Sequence, residues 1–266
     1  MPDNQDFRDM MMASLGEIGF ESFVENDSDI EAYIKVGLAF EEELKTIDFS
    51  PAFTFTFEKE EIEDQNWNEL WEKNYFKPLL IADTCVIRAP FHTDFPKAQY
   101  EIIIEPNMAF GTGNHETTTM MIEHIIELPV AGKTILDMGC GTGILSIFAS
   151  MKGAKTIKAI DIDQWSYEST RDNCLFNHCS NIDVMVGNAS SIGNNHFDII
   201  LANIHKNVLI EDMEIYNNAL NSGGTLVMSG FYEHDLPDIQ QKAKLLNLSL
   251  KNSKQKNKWV AATFTK

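Results

Sequence analysis

From residue 133 to the end, strand-like and helical runs alternate, and this alternation limits the possible fold more than any other feature of the chain. Residues 134–138 read as a strand, 144–151 as a helix, 156–162 as a strand and 165–176 as a helix. Strand-like runs at 182–186 and 197–202 follow, then a helix over 208–220, a strand over 225–229 and a helix over 236–246. Residues 248–250 and 259–264 finish the chain as strands around a Lys/Asn turn. Repeated βα units build a parallel sheet with helices on both faces, an α/β fold. Ligands of such sheets lie outside the carboxyl ends of the strands. Those ends are where the chemistry should be sought.

Upstream the pattern is different. Phe7, Met10, Met11, Ser14, Leu15 and Ile18 recur at helical spacing, and Gly19 sits where a helix would stop. Strand-like runs at 20–24 and 30–36, a short helix near 38–46 and a period-two alternation over 51–57 come next. Charged residues 58–64 read as a solvated connector. Trp67, Trp71, Tyr75 and Phe76 then read as an aromatic stripe on a short helix closed by Pro78, expected as a hydrophobic bracket docking the linker onto a neighbouring domain, with a ligand site as the alternative. Residues 85–89 and 100–105 are expected to pair as a hairpin around Phe95-Pro96. At 266 residues the chain exceeds the ~100–150 typical of one domain. It is read as a small α+β domain (1–57), a linker (58–79) and a larger α/β domain (80–266).

Composition removes several classes. No apolar run approaches the ~20 residues that span a bilayer, and the acidic start is the reverse of a signal peptide, so no membrane partner is expected and the cytoplasm is the default. Cys85, Cys140, Cys174 and Cys179 show no C-x-x-C spacing. Cys174, His178 and Cys179 would share part of a helix face, but no second pair completes four ligands, so reduced structural thiols and no metal are expected. The 40 Asp+Glu against 21 Lys+Arg give a net charge of −19. Such a surface repels phosphate backbones and attracts a basic partner, though ordinary solubility charge would look the same.

Four segments carry the chemistry. Ile135-Leu136-Asp137-Met138-Gly139-Cys140-Gly141-Thr142-Gly143 runs a strand through a glycine turn into a helix. The third glycine comes two positions after the second, so the dinucleotide fingerprint G-x-G-x-x-G fails. Asp137 precedes the turn, which disfavours a pyrophosphate and favours a ligand with an amino group. Asp161 ends the next strand, where a carboxylate accepts hydrogen bonds from both hydroxyls of a ribose. Together these marks suit a nucleoside that is positively charged and lacks phosphates, a description that S-adenosylmethionine fits. Asn203, just past the fourth strand, offers an amide oxygen to an incoming amine while its NH₂ helps hold the cofactor, and His205 is a candidate proton acceptor or an ordinary solvated histidine. Finally, residues 105–119 form a glycine-rich loop opening a helix. There Gly111 and Gly113 permit a tight backbone, Phe110 would cover an apolar part of the cofactor, and Thr117 and Thr118 offer hydroxyls. A plain loop with a helix cap is the simpler reading of that stretch.

The A-F-G-T-G-x-H-x-T-T loop (109–118), the D-M-G-C-G-T-G turn, the D-I-D strand end, the A-N-I motif and the W-x-x-x-W-x-K-x-x-F-x-P linker (67–78) together resemble the ribosomal protein L11 methyltransferase family. The resemblance runs colinearly over nearly the whole chain. It implies a small ferredoxin-like recognition domain followed by a class I (Rossmann-like) methyltransferase domain with a seven-stranded sheet. It also implies methylation of amino groups of a large-subunit ribosomal protein, with Thr117, Gly139, Asp161 and Asn203 at the cofactor-contacting positions. Asp137, Gly141, Phe110 and Gly111 complete the candidate cofactor site. Glu116 stands where the family carries Pro, His205 where it often carries an aliphatic residue, and no strand-like run precedes the first helix. The small domain is therefore expected either to begin upstream of this sequence or to lack an edge strand.

The expected protein is thus a monomer using S-adenosylmethionine on a basic ribosomal protein, with no nucleic-acid substrate. A lysine with pKa ~10.4 is neutral at pH 7 about once in 2,500 molecules, whereas an α-amine with pKa ~7.7–8.0 is neutral far more often, so an N-terminal amine should react more readily. A nucleic-acid base methyltransferase is the enzymatic alternative. It is disfavoured by the charge and by Asn203-Ile204-His205-Lys206 where many such enzymes carry N-P-P-Y or D-P-P-Y. A binding module that keeps the cofactor pocket without catalysis is the other alternative.

Overall fold

Why these segments adopt these elements is clearest in the central sheet. In the computed structural model, which describes residues 5–26, 29–35, 40–44, 47, 55–60, 77–105 and 115–266, side chains of successive strand residues go to opposite faces. Ile135 belongs to one core and Leu136 to the other; Ile199 and Leu201 face the first core, Ile200 and Ala202 the second. Burial on both faces is what an interior parallel strand needs, and it explains the near-continuous apolar runs.

The chain divides into two compact units, Met1–Asn66 and Trp67–Lys266. In the first, helix α1 (Gln5–Glu17) precedes strands β1 (Ser22–Glu25) and β2 (Ile30–Tyr33), which pair antiparallel, and a short helix α2 (Glu41–Leu44) follows. Met11, Leu15, Phe20, Phe40 and Leu44 form its core, with the Phe20 and Phe40 rings edge to face at 5.2 Å. Gly19 closes α1 at φ +101°. Arg8, nearly buried, donates to the carbonyls of Asn26 (2.7 Å) and Asp29 (3.4 Å) and so ties α1 to the β1–β2 turn. Most of the strand expected over 51–57 lies outside the described residues, and residues 55–57 are not in a strand. The aromatic stripe Trp67–Phe76 also lies outside them.

The second unit opens with β3 (Leu79–Ile81), β4 (Cys85–Arg88) and β5 (Tyr100–Ile103). β3 and β4 form a tight hairpin, but β4 and β5 pair parallel, not as the expected hairpin. The physical reason lies in the connection: eleven residues separate the two strands, enough for the chain to cross back and run in the same direction. Helix α3 (Glu116–Glu127) then leads into β6 (Thr134–Met138), α4 (Ile144–Met151), β7 (Thr156–Asp161), α5 (Gln164–Phe176), β8 (Ile182–Val186) and β9 (Phe197–Asn203). After these come α6 (Lys206–Ala219), β10 (Leu220–Tyr232), α7 (Leu236–Leu245), β11 (Ser249–Lys256) and β12 (Trp259–Thr265). The seven-stranded sheet has the order β11-β12-β10-β9-β6-β7-β8. β12 pairs antiparallel with both neighbours, and the pairs from β10 to β8 are all parallel.

That order positions the site. From β6 the chain steps outward through β7 to β8, then returns to the other side of β6 with β9. The reversal leaves a crevice above the carboxyl ends of β6 and β9, where open α/β sheets bind ligands. α3 roofs one face. Lys152 holds the end of this helix by donating to the carbonyls of Ile125 (2.5 Å), Ile126 (2.6 Å) and Leu128 (3.2 Å). α5 closes the edge near β5: Asn177 donates to and accepts from the Ile103 backbone, and Asn173 accepts from Glu105 N–H.

Candidate functional site at the carboxyl ends of the central strands

Asp137, next to the last residue of β6, is fully buried. Its Oδ2 accepts from Ser146 N–H (3.1 Å) and Ser146 Oγ–H (2.6 Å) in the first turn of α4. Its Oδ1 is buried with no hydrogen-bond partner among the described residues. Burial pushes the carboxyl up to about 6, against the opposing pull of the two Ser146 bonds. A half-satisfied buried carboxylate is costly for the fold alone and leaves one oxygen available to a cationic ligand.

The turn that follows is held by backbone bonds to β7. Gly139 and Cys140 N–H both donate to Ile160 O, at 2.8 and 3.2 Å. Gly139 has φ +71°, and a Cβ there would lie 2.2 Å from Ile204 Cγ2. Gly230, at φ +94°, would bring a Cβ within 2.2 Å of Ile204 O. Ile204 is therefore clasped between two glycines that lie 91 positions apart in the sequence, and this fixes the chain just beyond Asn203. Asn203 itself ends β9 opposite Ser229, and its side chain makes no hydrogen bond among the described residues.

Asp161, at the end of β7, accepts from Gly141 N–H (2.9 Å) through Oδ2 and from Asp163 N–H (3.0 Å) through Oδ1. Both bonds orient the carboxylate, and an ionised carboxylate retains further lone pairs for ligand hydroxyls. Gly141 thus acts through its N–H as much as through its lack of a side chain.

On the α3 side, Thr117 is buried. His115 caps the helix: Thr117 N–H points at His115 Nδ1 (3.3 Å), and Thr117 Oγ1 lies 2.8 Å from the same nitrogen. Glu116 accepts from Asn257 Nδ2 (2.8 Å) at the tip of the β11–β12 hairpin, and this bond holds its carboxyl below the usual range. Phe110 and Gly111 lie outside the described residues.

The structure thus brings Asp137, Gly139, Gly141, Asp161 and Asn203 to one edge of the sheet. His205, the residue before α6, is exposed and borders an open cleft of about 340 Å³ with Lys206, Tyr232, Asp235 and Trp259. Sequence reasoning did not single out His115 as a cap, nor Tyr232 and Trp259 as wall residues. A cap residue before Glu116-Thr117-Thr118 was the available signal for the first; nothing local marks the other two.

The cysteines do not form a ligand group. All four are free, and α5 ends at Phe176, so Cys174, His178 (φ +55°) and Cys179 do not share a helix face as the spacing suggested. Among the described residues no three His, Cys, Asp or Glu side chains are placed to hold a metal ion, and no helix is long and apolar enough to cross a membrane.

Comparison with known proteins gives a consistent result. The family model described as ribosomal protein L11 methyltransferase (PrmA) matches residues 7–266. A relative from Phocaeicola vulgatus named ribosomal protein L11 methyltransferase is 46% identical over 267 residues, covering 99% of this chain and 95% of its own. One of the same name from Porphyromonas gingivalis is 44% identical over 261 residues, covering 97% and 90%. The crystal structure of a ribosomal protein L11 methylase from Lactobacillus delbrueckii subsp. bulgaricus superposes with a TM-score of 0.67 at 27% identity, over 71% of this chain and 98% of that one.

Proposed function

This chain belongs to the ribosomal protein L11 methyltransferase family, and from that premise we propose that it transfers methyl groups from S-adenosylmethionine to amino groups of a basic large-subunit ribosomal protein, the counterpart of the one its relatives are named for. The single observation that carries the reading is the meeting of Asp137, Asp161 and Asn203 at the crevice end of the parallel sheet, around a glycine turn no side chain can enter.

These residues fit the cofactor. Asp137 Oδ1, buried and without a partner among the described residues, suits an ammonium group. Asp161, oriented by Gly141 and Asp163, suits the two hydroxyls of a ribose. Thr117, held by His115, is proposed to contact the cofactor as well, with Phe110 and Gly111. Bound there, S-adenosylmethionine supplies a methyl group already activated by a sulfonium.

What the protein adds is position and a neutral amine. The Asn203 amide oxygen accepts one N–H of the incoming amine and so points the nitrogen lone pair inward. The apolar surroundings contributed by Ile204 and Gly230 disfavour the ammonium form and lower the amine pKa. His205, exposed beside the cleft, is proposed as the group that receives the proton and passes it to water. Residues 1–57 are proposed as the substrate-recognition domain and 58–79 as the linker to the catalytic domain, 80–266. We propose that the protein acts as a monomer in the cytoplasm.

The test is transfer of radiolabelled methyl to ribosomal proteins and, separately, to rRNA. Label on one basic large-subunit protein, reduced at least ~100-fold by Asn203→Ala, is the expected outcome. Label on RNA instead would replace the substrate assignment, and cofactor binding with no label on anything would leave a non-catalytic module.

A further inference from the structure

Thr117 owes its hydrogen-bonded position to a ring that the transfer reaction leaves without a role. His115 is the N-cap of α3, with extended backbone (φ −112°, ψ 143°), and its side chain accepts from Thr117 N–H. That bond spans 3.3 Å to Nδ1, and Thr117 Oγ1 lies 2.8 Å from the same nitrogen. Ser, Thr, Asp and Asn are the usual caps, because each offers an oxygen that keeps its lone pairs near neutral pH. A histidine caps only through a bare ring nitrogen, which loses its lone pair on taking a proton.

The bond also fixes where the ring hydrogen sits. A backbone N–H has nothing to accept, so the pattern requires a bare Nδ1 and a hydrogen on Nε2. The Thr117 hydroxyl then donates to Nδ1 and keeps its oxygen lone pairs for a ligand. A second proton on the ring reverses both contacts: Nδ1–H repels the amide hydrogen and donates to Oγ1 instead. Charged groups facing the ring, among the described residues, come from α3 and the terminal hairpin. Glu116 Oε2 stands 4.0 Å from Nε2 and favours the imidazolium. Lys256, which acts on Glu116, and the positive end of α3 disfavour it. Asn257 holds Glu116, and Trp259 meets the ring edge-on at 5.0 Å, so the hairpin braces the cap.

Resting on the reading of Thr117 as a cofactor contact, we propose that His115 is a positioning residue whose neutral ring holds Thr117 for S-adenosylmethionine and whose protonation releases it. Without the cap the first turn of α3 loosens, and only the fraction of molecules that keeps it formed binds the cofactor. Histidine changes charge between about pH 5 and pH 8, so cofactor affinity falls as the solution is acidified through that window. The ring acts through Thr117, not on the methyl group or the amine.

The test is the dissociation constant of S-adenosylmethionine, measured by calorimetry at about pH 8 and about pH 5.5, in wild type, His115→Asn, His115→Ala and Thr117→Val. Asparagine caps a helix without titrating. Expected at the higher pH is wild-type affinity for His115→Asn and affinity about twofold to thirtyfold weaker for His115→Ala, the range a lost cap spans. On acidification the ratio of the wild-type to the His115→Asn dissociation constant should rise toward the His115→Ala factor. Asp137, raised to about 6, titrates in the same window but in both proteins, so the ratio removes it. A His115→Ala variant that binds like wild type at the higher pH, a His115→Asn variant that does not, or a flat ratio would overturn the role of His115. Thr117→Val should weaken binding at both pH values; if it does so while the ratio stays flat, only His115 loses its role. Unchanged affinity in Thr117→Val would overturn the Thr117 contact and this proposal together, with methyl transfer still judged by the radiolabel.

Discussion

Asp137 shows how one residue can be wrong for stability and right for a ligand. Its folded-state value of about 6 lies above the ~3.9 of an unfolded aspartate, so the fold favours the protonated form. The associated cost is absent below about pH 4, grows as pH rises toward 6 and is complete above it; across that window it is on the order of 3 kcal/mol. Asp137→Asn removes the titration. The stability difference between variant and wild type should therefore shift by about that amount in the variant's favour between pH 4 and pH 7, as read by urea unfolding without cofactor. The same variant should bind S-adenosylmethionine at least tenfold more weakly. A pH-independent stability difference would show that the carboxyl is not perturbed.

Among the elements, α3 has the most to hold together, since its first turn carries Thr117 and its body packs on β12. His124, on the buried side, lies 3.3 Å from Ala261 O and 3.1 Å from Thr263 Oγ1. Burial holds its pKa below the ordinary histidine value, with the Ala261 bond opposing. Because the folded value is the lower one, His124 contributes full stability above about pH 6.5 and loses it as pH falls toward the folded value. His124→Gln should flatten that acid limb in unfolding curves taken from pH 7.5 to pH 5. An unaltered pH profile would assign the limb to other groups. Lys254, paired with Glu127 (2.6 Å) and Glu123 (3.7 Å), and Asn257, bonded to Glu116, clamp the same helix to the terminal hairpin.

For the whole molecule, the relevant quantity is the net charge of −19. Attraction of a basic protein partner acts over a Debye length, about 8 Å at 0.15 M salt and about 3 Å at 1 M. The KM for the ribosomal protein is expected to rise several-fold between 0.05 and 0.3 M salt, with the KM for cofactor nearly constant. A flat response in steady-state assays would reduce the acidic surface to a solubility feature.

Local pattern determined a good deal of this protein. The alternation of apolar runs specified a βα sheet, because side-chain period reports directly which residues must be buried. The glycine turn, Asp137, Asp161 and Asn203 were legible because strand ends in such a sheet are where ligands bind, and the linear order of strands already places them there. Phe110, Gly111 and the aromatic linker were read from motif alone and lie outside the described residues. Only the tertiary structure decided that β4 and β5 run parallel, since an eleven-residue connection permits either direction. It alone set Ile204 between Gly139 and Gly230, left one oxygen of Asp137 without a partner among the described residues, and brought His115, Tyr232 and Trp259 together. These are contacts between segments far apart in the chain. Periodicity says which way a side chain faces, but which distant segment meets it is set by sheet order and packing.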